Sequence, residues 1–386
     1  MVVLSKERAK MAKNSAKRLK EIVKVSAFYG FGFLVDNKIK RQDNSPENLR
    51  LACEDLGPTF IKLGQILSTR PDILPAEYIK ELSKLQDNVL PEKFKDINKV
   101  IKSEFGKSIE ELFLKFNEIP LASASVAQVH EATLKDGREV IVKVQRPEIS
   151  DKMETDISIL SRIFNLTKAK FKDTLIDPSE ALNELLDSTR LELDFNIEGE
   201  NIEKFRKINK SVACVYAPFV ISEYSGKTVL TLEKIKGYKI DDKKGLLEQG
   251  YDLPDISKKL ALSFLKNIFE DGFFHADPHP GNLLIRDGKI CFIDFGIIGN
   301  LNKTLRDSLN DAVVAVAYED INKLISVFMS IGLKDGFVDR NQLYEDIDYL
   351  FANYLNTSFE NINMSYMLQE VFDVASRNNI KLPKEL

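Results

Sequence analysis

The stretch "FFHADPHPGNLLIRDGKICFIDFGIIG", from Phe273 to Gly299, constrains this chain more than any other. Asp277 is followed five positions later by Asn282, and Pro278 and Pro280 between them keep the segment from forming a regular helix. Next comes "LLIRDGKICFI", two apolar runs joined at Asp287-Gly288, a dipeptide favoured in two-residue hairpin turns. The hairpin leads straight into Asp294-Phe295-Gly296. Two carboxylates and a carboxamide on one loop and hairpin form a hard-oxygen set suited to Mg²⁺, which takes one or two protein carboxylates and leaves its other positions to phosphate and water.

A second constraint lies upstream. "NEIPLASASVAQVHEATLKDGREVIVKVQRPEI", Asn117 to Ile149, reads as a β-ribbon turning at Asp136-Gly137. Lys143 stands among Val140, Ile141, Val142 and Val144, where an ammonium is costly unless it meets an anion or lies on the open face of an edge strand. Further on, "LDSTRLELDFNIEGENIEKFRKI" is a helical stretch loaded with acids, including Glu192, Asp194 and Glu198. A strand lysine paired with a helix glutamate positions ATP phosphates in kinases, whose base and Mg²⁺ ligands are an Asp, an Asn and the Asp of a DFG.

Composition narrows the alternatives. The chain of 386 residues, 44% hydrophobic and 30% charged, has the make-up of a globular protein of two or three units. Its net charge of -4 argues against wholesale nucleic-acid binding. Three dispersed cysteines without a CxxC pair suit a reduced compartment, and cytoplasm is the expectation. Residues 1–386 hold neither a signal-peptide pattern nor an apolar run of the ~18–20 residues a transmembrane helix needs. Between Met1 and Ser26, eight Lys/Arg face two Glu. Lys6, Lys10, Lys13, Lys17, Lys20 and Lys24 recur at helical spacing, with Leu4, Met11, Ala12, Leu19, Ile22 and Val23 on another face. Such a basic amphipathic helix either lies on anionic lipid or docks on its own protein.

Helical patterns also cover Ser45 to Asp87, with breaks at Gly57-Pro58 and between Arg70 and Pro75, and the C-terminal segments "DAVVAVAYEDINKLISVFMSIG" and "LYEDIDYLFANYL". Two motifs mislead. His275 and His279 have the spacing of a helical zinc pair, but the prolines forbid that helix. "SGKT", Ser225 to Thr228, lacks the Walker A glycine, since Ile221 holds that position, and reads better as a hairpin turn between "YAPFVISEY" and "TVLTLEKIKG".

Taken together, "KLGQ" at Lys62 to Gln65, "PLASASVAQVH" at Pro120 to His130, "VIVKVQRP" at Val140 to Pro147, "ELDFNIEGEN" at Glu192 to Asn201, "HADPHPGN" at His275 to Asn282 and "DFG" at Asp294 to Gly296 resemble the UbiB family of atypical kinases, the AarF-domain (ABC1) group, over nearly the whole chain. The resemblance implies an α+β, bilobal protein-kinase-like fold. A helical N-terminal extension (1–118) would pack over the active-site cleft, followed by an N-lobe (119–236) and a mostly helical C-lobe (237–386). It implies ATP and Mg²⁺ as cofactors. Lys143 would contact phosphates and pair with Glu198, Asp277 would be the catalytic-loop aspartate, and Asn282 and Asp294 would hold the metal. Glu192 and Asp194 would be the ExD pair near nucleotide and metal, and the backbone of Glu233, Lys234 and Ile235 the hinge that meets adenine. Lys62, Gly64 and Gln65 would form the regulatory KxGQ helix over the cleft.

Ala122, Ser123, Ala124 and Ser125 resemble the family's alanine-rich loop, standing where protein kinases have glycines; alanine narrows the dihedral freedom, so a stiffer loop is expected. Two departures are Ser123, which interrupts the alanines, and Gly199, where an alanine is usual. Ala276 replaces the arginine with which many protein kinases read a phosphorylated activation loop, so no such switch is expected.

The function expected is that of an Mg-ATP-dependent atypical kinase or ATPase, unlike an ordinary protein kinase. By resemblance it would support isoprenoid quinone or related lipid biosynthesis or handling, with quinone-type lipids or biosynthetic proteins as partners and a peripheral place at the cytoplasmic membrane. The alternative is a nucleotide-gated protein that binds a lipid or partner without turnover. An antibiotic-resistance type of phosphotransferase shares the H-x-D loop but leaves KLGQ unexplained. Hydrophobic segments that relatives often carry at their C-termini would lie beyond Leu386.

Overall fold

The computed structural model describes residues 2–31, 45–68, 70, 74–85, 90–167, 178–334, 336–355 and 363–381. Side chains before residue 15 fall outside the description, and with them Lys6, Lys10, Lys13, Leu4, Met11 and Ala12, as does most of the turn expected between Arg70 and Pro75. The chain divides into two compact units: Met1–Glu200 with Phe219–Lys234, and Asn201–Pro218 with Ile235–Leu386.

The first unit opens with helices α1 (Val2–Phe28), α2 (Pro46–Leu56), α3 (Pro58–Ser68) and α4 (Ala76–Leu82). Then come α5 (Phe94–Phe105), α6 (Ile149–Thr167), α7 (Pro178–Glu192) and α8 (Phe195–Ile208), the last continuing into the second unit. Gly57, at φ 89°, makes the turn between α2 and α3, and Pro58 opens α3 where its missing N–H is not needed. Ile22, Leu56, Phe60, Ile66 and Leu82 share one apolar core with Ile157 and Leu160 of α6.

The described end of α1 docks on this unit through Ile22, on the apolar face expected, but that face is shifted toward Arg18. Leu19, assigned to the apolar side, is 40% exposed, whereas Arg18 turns inward one helical turn before Ile22. Its Nε and Nη2 donate to the two oxygens of Asp156 at 2.6 and 2.8 Å, and Nη2 also donates to the Leu56 carbonyl at 2.6 Å. Thr59 Oγ1 adds a third donor to Asp156 at 2.9 Å. Asp156 is fully buried, so a charged partner must come to it, and the bidentate fork of an arginine meets that need. Lys17, Lys20 and Lys24 stay exposed.

The sheet of this unit comprises β1 (Phe113–Phe116), β2 (Ala122–Ser123), β3 (Ala127–Leu134), β4 (Glu139–Gln145) and β5 (Val229–Glu233), ordered β1-β3-β4-β5 with β2 on β3 and every pair antiparallel. Gly137, at φ 90°, closes the β3–β4 turn. Val140, Val142 and Val144 pack on Ile97 and Ile101 of α5, which leaves Lys143 on the opposite face by the two-residue period of a strand. The "SGKT" segment is a turn, with the Gly226 N–H donating to Val229 O at 2.8 Å. Its anion seat holds the carboxylate of Glu104 from α5, which accepts from the N–H groups of Lys227 (2.8 Å) and Thr228 (3.2 Å) and from Thr228 Oγ1 (2.6 Å).

The second unit contains a ribbon of β6 (Phe273–His275) and β9 (Ile298–Asn300), and a sheet in which β7 (Leu283–Arg286) and β8 (Lys289–Phe292) lie between the short strands Tyr238–Lys239 and Val215–Tyr216. Asp287 and Gly288 both take positive φ, 51° and 71°, as a two-residue hairpin turn requires. Helix α9 (Leu253–Lys266) runs into a π-helical turn, Asn267–Asp271, that Gly272 ends at φ 64°. Helices α10 (Lys303–Ala317), α11 (Ile321–Ile331), α12 (Arg340–Tyr354) and α13 (Met364–Arg377) complete it, joined through Ala315, Ile325, Leu343, Ile347 and Val374. "DAVVAVAYEDINKLISVFMSIG" is broken at Glu319 (φ 53°), and Asp320 caps α11 by accepting the Lys323 N–H at 2.9 Å. Among the described residues no helix is long and apolar enough to cross a membrane.

Two glycines differ in the room around them. A Cβ on Gly64 would run into the Leu85 side chain, with Leu82 and Cys53 at 3.4 Å, whereas one on Gly199 would meet Leu230 and Val220 at ordinary contact distances of 3.6 and 3.7 Å. Gly64→Ala is expected to cost about 1–3 kcal/mol by overpacking, and Gly199→Ala to gain about 0.5–1 kcal/mol by helix propensity. Urea-unfolding midpoints should therefore move in opposite directions. Asp156→Ala removes the bidentate partner of Arg18, which keeps Glu21 at 2.9 Å, and should lower the midpoint by the equivalent of about 1.5–3 kcal/mol, the worth of hydrogen bonds to a charged group.

Candidate active site

In the first unit, Lys143 Nζ lies 3.0 and 2.9 Å from the two oxygens of Glu198, which is 5% exposed, and 5.3 Å from the centre of the Phe195 ring. The ammonium in the apolar strand has its anion. Glu198 can reach it because the acid-rich stretch, read as one helical run, is two helices. Asp194 accepts from the N–H (3.1 Å) and side-chain amide (2.9 Å) of Asn196, and the Phe195 N–H donates to Lys227 O at 3.0 Å. A short acceptor at the start of a helix satisfies an amide that would otherwise lack a partner. Glu192 thereby ends α7, Asp194 lies in the connection and Glu198 falls in the first turn of α8.

Lys62 on α3 forms an ion pair with Glu192, both side chains being largely buried. The KxGQ lysine and the first ExD carboxylate thus meet, a pairing across 130 residues that no local pattern signals. Gly64 sits where α3 packs closely, and Gln65 is half-buried on the same helix.

The loop from Ala122 to Ser125 begins as β2, with Ala122 opposite Val129 and Ser123 opposite Gln128, and closes as the Ala124 N–H donates to Ala127 O at 2.8 Å. Ser125 is buried. Arg146, 6% exposed and passed over in the sequence reading, donates from Nε to Ala124 O (2.8 Å) and from Nη2 to Ser123 Oγ (2.7 Å). Its signal in the sequence was a place in the "VIVKVQRP" motif, which carries no sign of its partners. Gln128 Nε2 donates to His130 Nε2 at 2.9 Å, which assigns the ring proton to Nδ1, the donor to Asn117 O at 2.8 Å. Of the hinge residues, Glu233 donates its N–H to Phe219 O (2.9 Å) and Lys234 its N–H to Glu139 O (3.3 Å), while Ile235 begins a segment of the second unit.

In the second unit, His275 on β6 is almost fully buried and joins the two halves of the motif. Its Nε2 donates to the Asp294 carbonyl, and its Nδ1 accepts the Asp277 N–H at 3.2 Å. Burial holds this imidazole below the usual histidine value, opposed in part by the Asp294 carbonyl and the carboxylates of Asp294 and Asp277. Asn282 Nδ2 donates to Asp277 O (3.1 Å) and Oδ2 (3.2 Å), and the Gly296 N–H donates to Asp294 Oδ1 at 3.0 Å. Phe295 is fully buried, its ring centre 5.0 Å from that of Phe205 on α8 and 5.4 Å from that of His275. His279 spends Nδ1 on the Gly281 N–H at 2.7 Å.

These residues fit magnesium by the chemistry of their donors. With its NH₂ turned to Asp277, Asn282 keeps Oδ1 as the atom able to face a cation, and Asp294 adds a carboxylate beside it in the motif. Among the described residues no cluster of three His, Cys, Asp or Glu forms a metal site. Magnesium does not need one, because phosphates and water supply most of its ligands.

A strand lysine held by a helix glutamate, with an H-x-D loop, an Asn and a DFG, defines a kinase-like protein. Residues 84–328 match the family described as "ABC1 atypical kinase-like domain", and the chain belongs to it. An "Uncharacterized protein in hydrogenase 1 5'region" of Clostridium pasteurianum is 59% identical over 373 residues, 97% of this chain and 70% of that protein. Proteins named "Probable protein kinase UbiB" in Xylella fastidiosa (strain 9a5c) and Cellvibrio japonicus are each 34% identical over 346 residues. That match takes in 88% of this chain but 63% of either UbiB protein, less than two thirds of their length. A solved structure of Rv3197 with erythromycin, from Mycobacterium tuberculosis, shares the fold at a TM-score of 0.56 and 21% identity, covering 99% of this chain and 90% of that one.

Burial also holds His130 below the ordinary histidine value, with the Asn117 carbonyl opposing in part. On acidification the unfolded chain takes up this proton first, near pH 6.5, so stability present above that pH is lost as the pH falls through it. The urea midpoint should fall between pH 7.5 and 5.5, and fall less in His130→Gln. An equal fall in both proteins would assign the loss to other groups.

Proposed function

We propose that the chain binds Mg-ATP and transfers its γ-phosphoryl group, as an atypical kinase or ATPase of the UbiB type. The observation that carries this reading is the Lys143–Glu198 ion pair on a sheet and helix of the kinase-like kind, in a chain that also keeps Asp277, Asn282 and Asp294. We place an extension in residues 1–118, an N-lobe in 119–236 and a C-lobe in 237–386. Glu198 holds the Lys143 ammonium in position for phosphate oxygens, where its charge offsets that developing on the transferred group. Asn282 and Asp294 would hold Mg²⁺, which when bound neutralises phosphate charge. Asn282 steadies Asp277 at Oδ2, leaving Oδ1 to orient the acceptor hydroxyl and take its proton. Glu192 and Asp194 lie near the nucleotide and metal in this reading, the backbone of Glu233 to Ile235 meets adenine, and Ala122 to Ser125 cover the phosphates.

The acceptor we favour is a lipid of the isoprenoid quinone class or water, with the protein peripheral at the cytoplasmic membrane and the exposed lysines of α1 toward anionic lipid. The names of the UbiB relatives support the quinone reading, and the lysine face of α1 the membrane reading. The Lys62–Glu192 ion pair favours a second reading, because it engages a carboxylate of the ExD pair: a nucleotide-gated protein that binds a lipid or partner without turnover.

ADP release from Mg-ATP, with and without anionic vesicles, separates the two. Phosphoryl transfer predicts turnover that falls at least about a hundredfold in Asp294→Asn, the scale on which lost charge stabilisation acts. Tight nucleotide binding with no Asp294-dependent turnover under either condition would leave only the gated binding protein.

A further inference from the structure

Arg146 stands three residues beyond Lys143, and its guanidinium joins two separate stretches of the first unit. Besides Ala124 O and Ser123 Oγ, it donates from Nη1 to the Glu92 carboxylate (2.8 Å) and from Nη2 to Leu90 O (3.0 Å). Its backbone N–H donates to Val126 O at 2.9 Å. Three of the residues from Ser123 to Val126 are thereby bound to one residue, which also grips the segment preceding α5. Gln128 Oε1 fastens that segment further by accepting the Glu92 N–H at 2.8 Å.

A guanidinium presents five donors in a rigid planar fork, so one arginine can serve four acceptors at once where a lysine has three donors on a single nitrogen. Three of its acceptors, Ala124 O, Leu90 O and Glu92, would be present whatever residue stood at 123. The fourth is the hydroxyl of Ser123, at the position where the alanine run is interrupted. The substitution thus adds a charge-assisted bond at the base of the loop.

We propose that Arg146 is a positioning residue that sets the freedom of the Ala122–Ser125 loop, and through it the affinity for nucleotide, and that Ser123 tightens this hold in this chain. The inference rests on the nucleotide reading above. A loop that covers phosphates must shift for the ligand to enter and leave, and each tether to Arg146 restricts that shift. The anchor on residues 90 and 92 passes displacements of that segment to the loop through a single planar group.

The test is amide hydrogen exchange at Ala124, Ser125 and Val126 in nucleotide-free protein, together with titration of Mg-ATP, for wild type, Ser123→Ala and Arg146→Lys. Exchange should be about tenfold faster in Ser123→Ala and faster still in Arg146→Lys, with β4 amides unchanged. Nucleotide Kd should rise about three- to tenfold as preorganisation is lost, and KM for ATP should rise by a larger factor than kcat falls. Should Arg146→Lys fail to fold, Ser123→Ala still decides, since it removes one hydroxyl from a half-buried position. Loop exchange equal to wild type overturns the tether. Faster exchange with unaltered Kd overturns its link to the nucleotide. Wild-type protein that binds no Mg-ATP defeats the proposed function and this link with it, and exchange then judges the tether by itself.

Discussion

A positive charge on a strand whose other face is core organises the first unit. Lys143 shares β4 with Val140, Val142 and Val144, which pack on α5, so the strand's position leaves the ammonium little choice of surroundings. Only a carboxylate brought to the opposite face makes that arrangement affordable. Glu198 does so from the first turn of α8, and α8 can start there because Asp194 ends the preceding acidic run and caps the new one. The same need recurs at Asp156, a buried carboxylate to which α1 delivers Arg18, and at the Lys62–Glu192 pair. Three helices are thus placed by charge matching as well as by apolar packing.

The second unit uses hydrogen bonds for a similar end. His275, its imidazole held below the usual histidine value by burial, spans the Asp277 amide and the Asp294 carbonyl, so the loop and the DFG are held by one imidazole. Phe295, packed on Phe205 and His275, fixes the backbone from which Asp294 projects. Asp277, Asn282 and Asp294 thus stand beside a buried base of His275, Phe295 and Phe205 while their own side chains are half-buried.

Where the expectations from sequence missed, local competition was the reason. The Leu193–Asp194 break interrupts a continuous helical pattern because a capping aspartate outweighs propensity over two residues. On α1 the apolar face read from hydrophobicity holds at the buried Ile22, yet the buried Asp156 recruits a cation, so Arg18 goes in as well while Leu19 stays 40% exposed. The loop "SGKT" resembles a phosphate cradle, and its amides do bind an anion, one that belongs to the protein itself, Glu104.

From the sequence alone came the ribbon with its turn at Asp136-Gly137, the hairpin at Asp287-Gly288 and the choice for Lys143 between an anion and an open edge face. Each rests on a short-range rule: two-residue alternation, positive φ in a tight turn, or the cost of an unpaired buried charge. The kinase-like family, and with it Glu198 as the acid expected for Lys143, came from the resemblance of six motifs. Tertiary structure decided that Lys143 stands on an inner strand facing Glu198, that Lys62 closes on Glu192, that Arg18 rather than Leu19 faces inward, and that Arg146 ties the alanine-rich loop to residues 90 and 92. Those pairings join residues far apart in the chain. Their partners become defined only once apolar packing has brought the elements together, because a charge specifies the sign of its neighbour and packing specifies which neighbour is within reach.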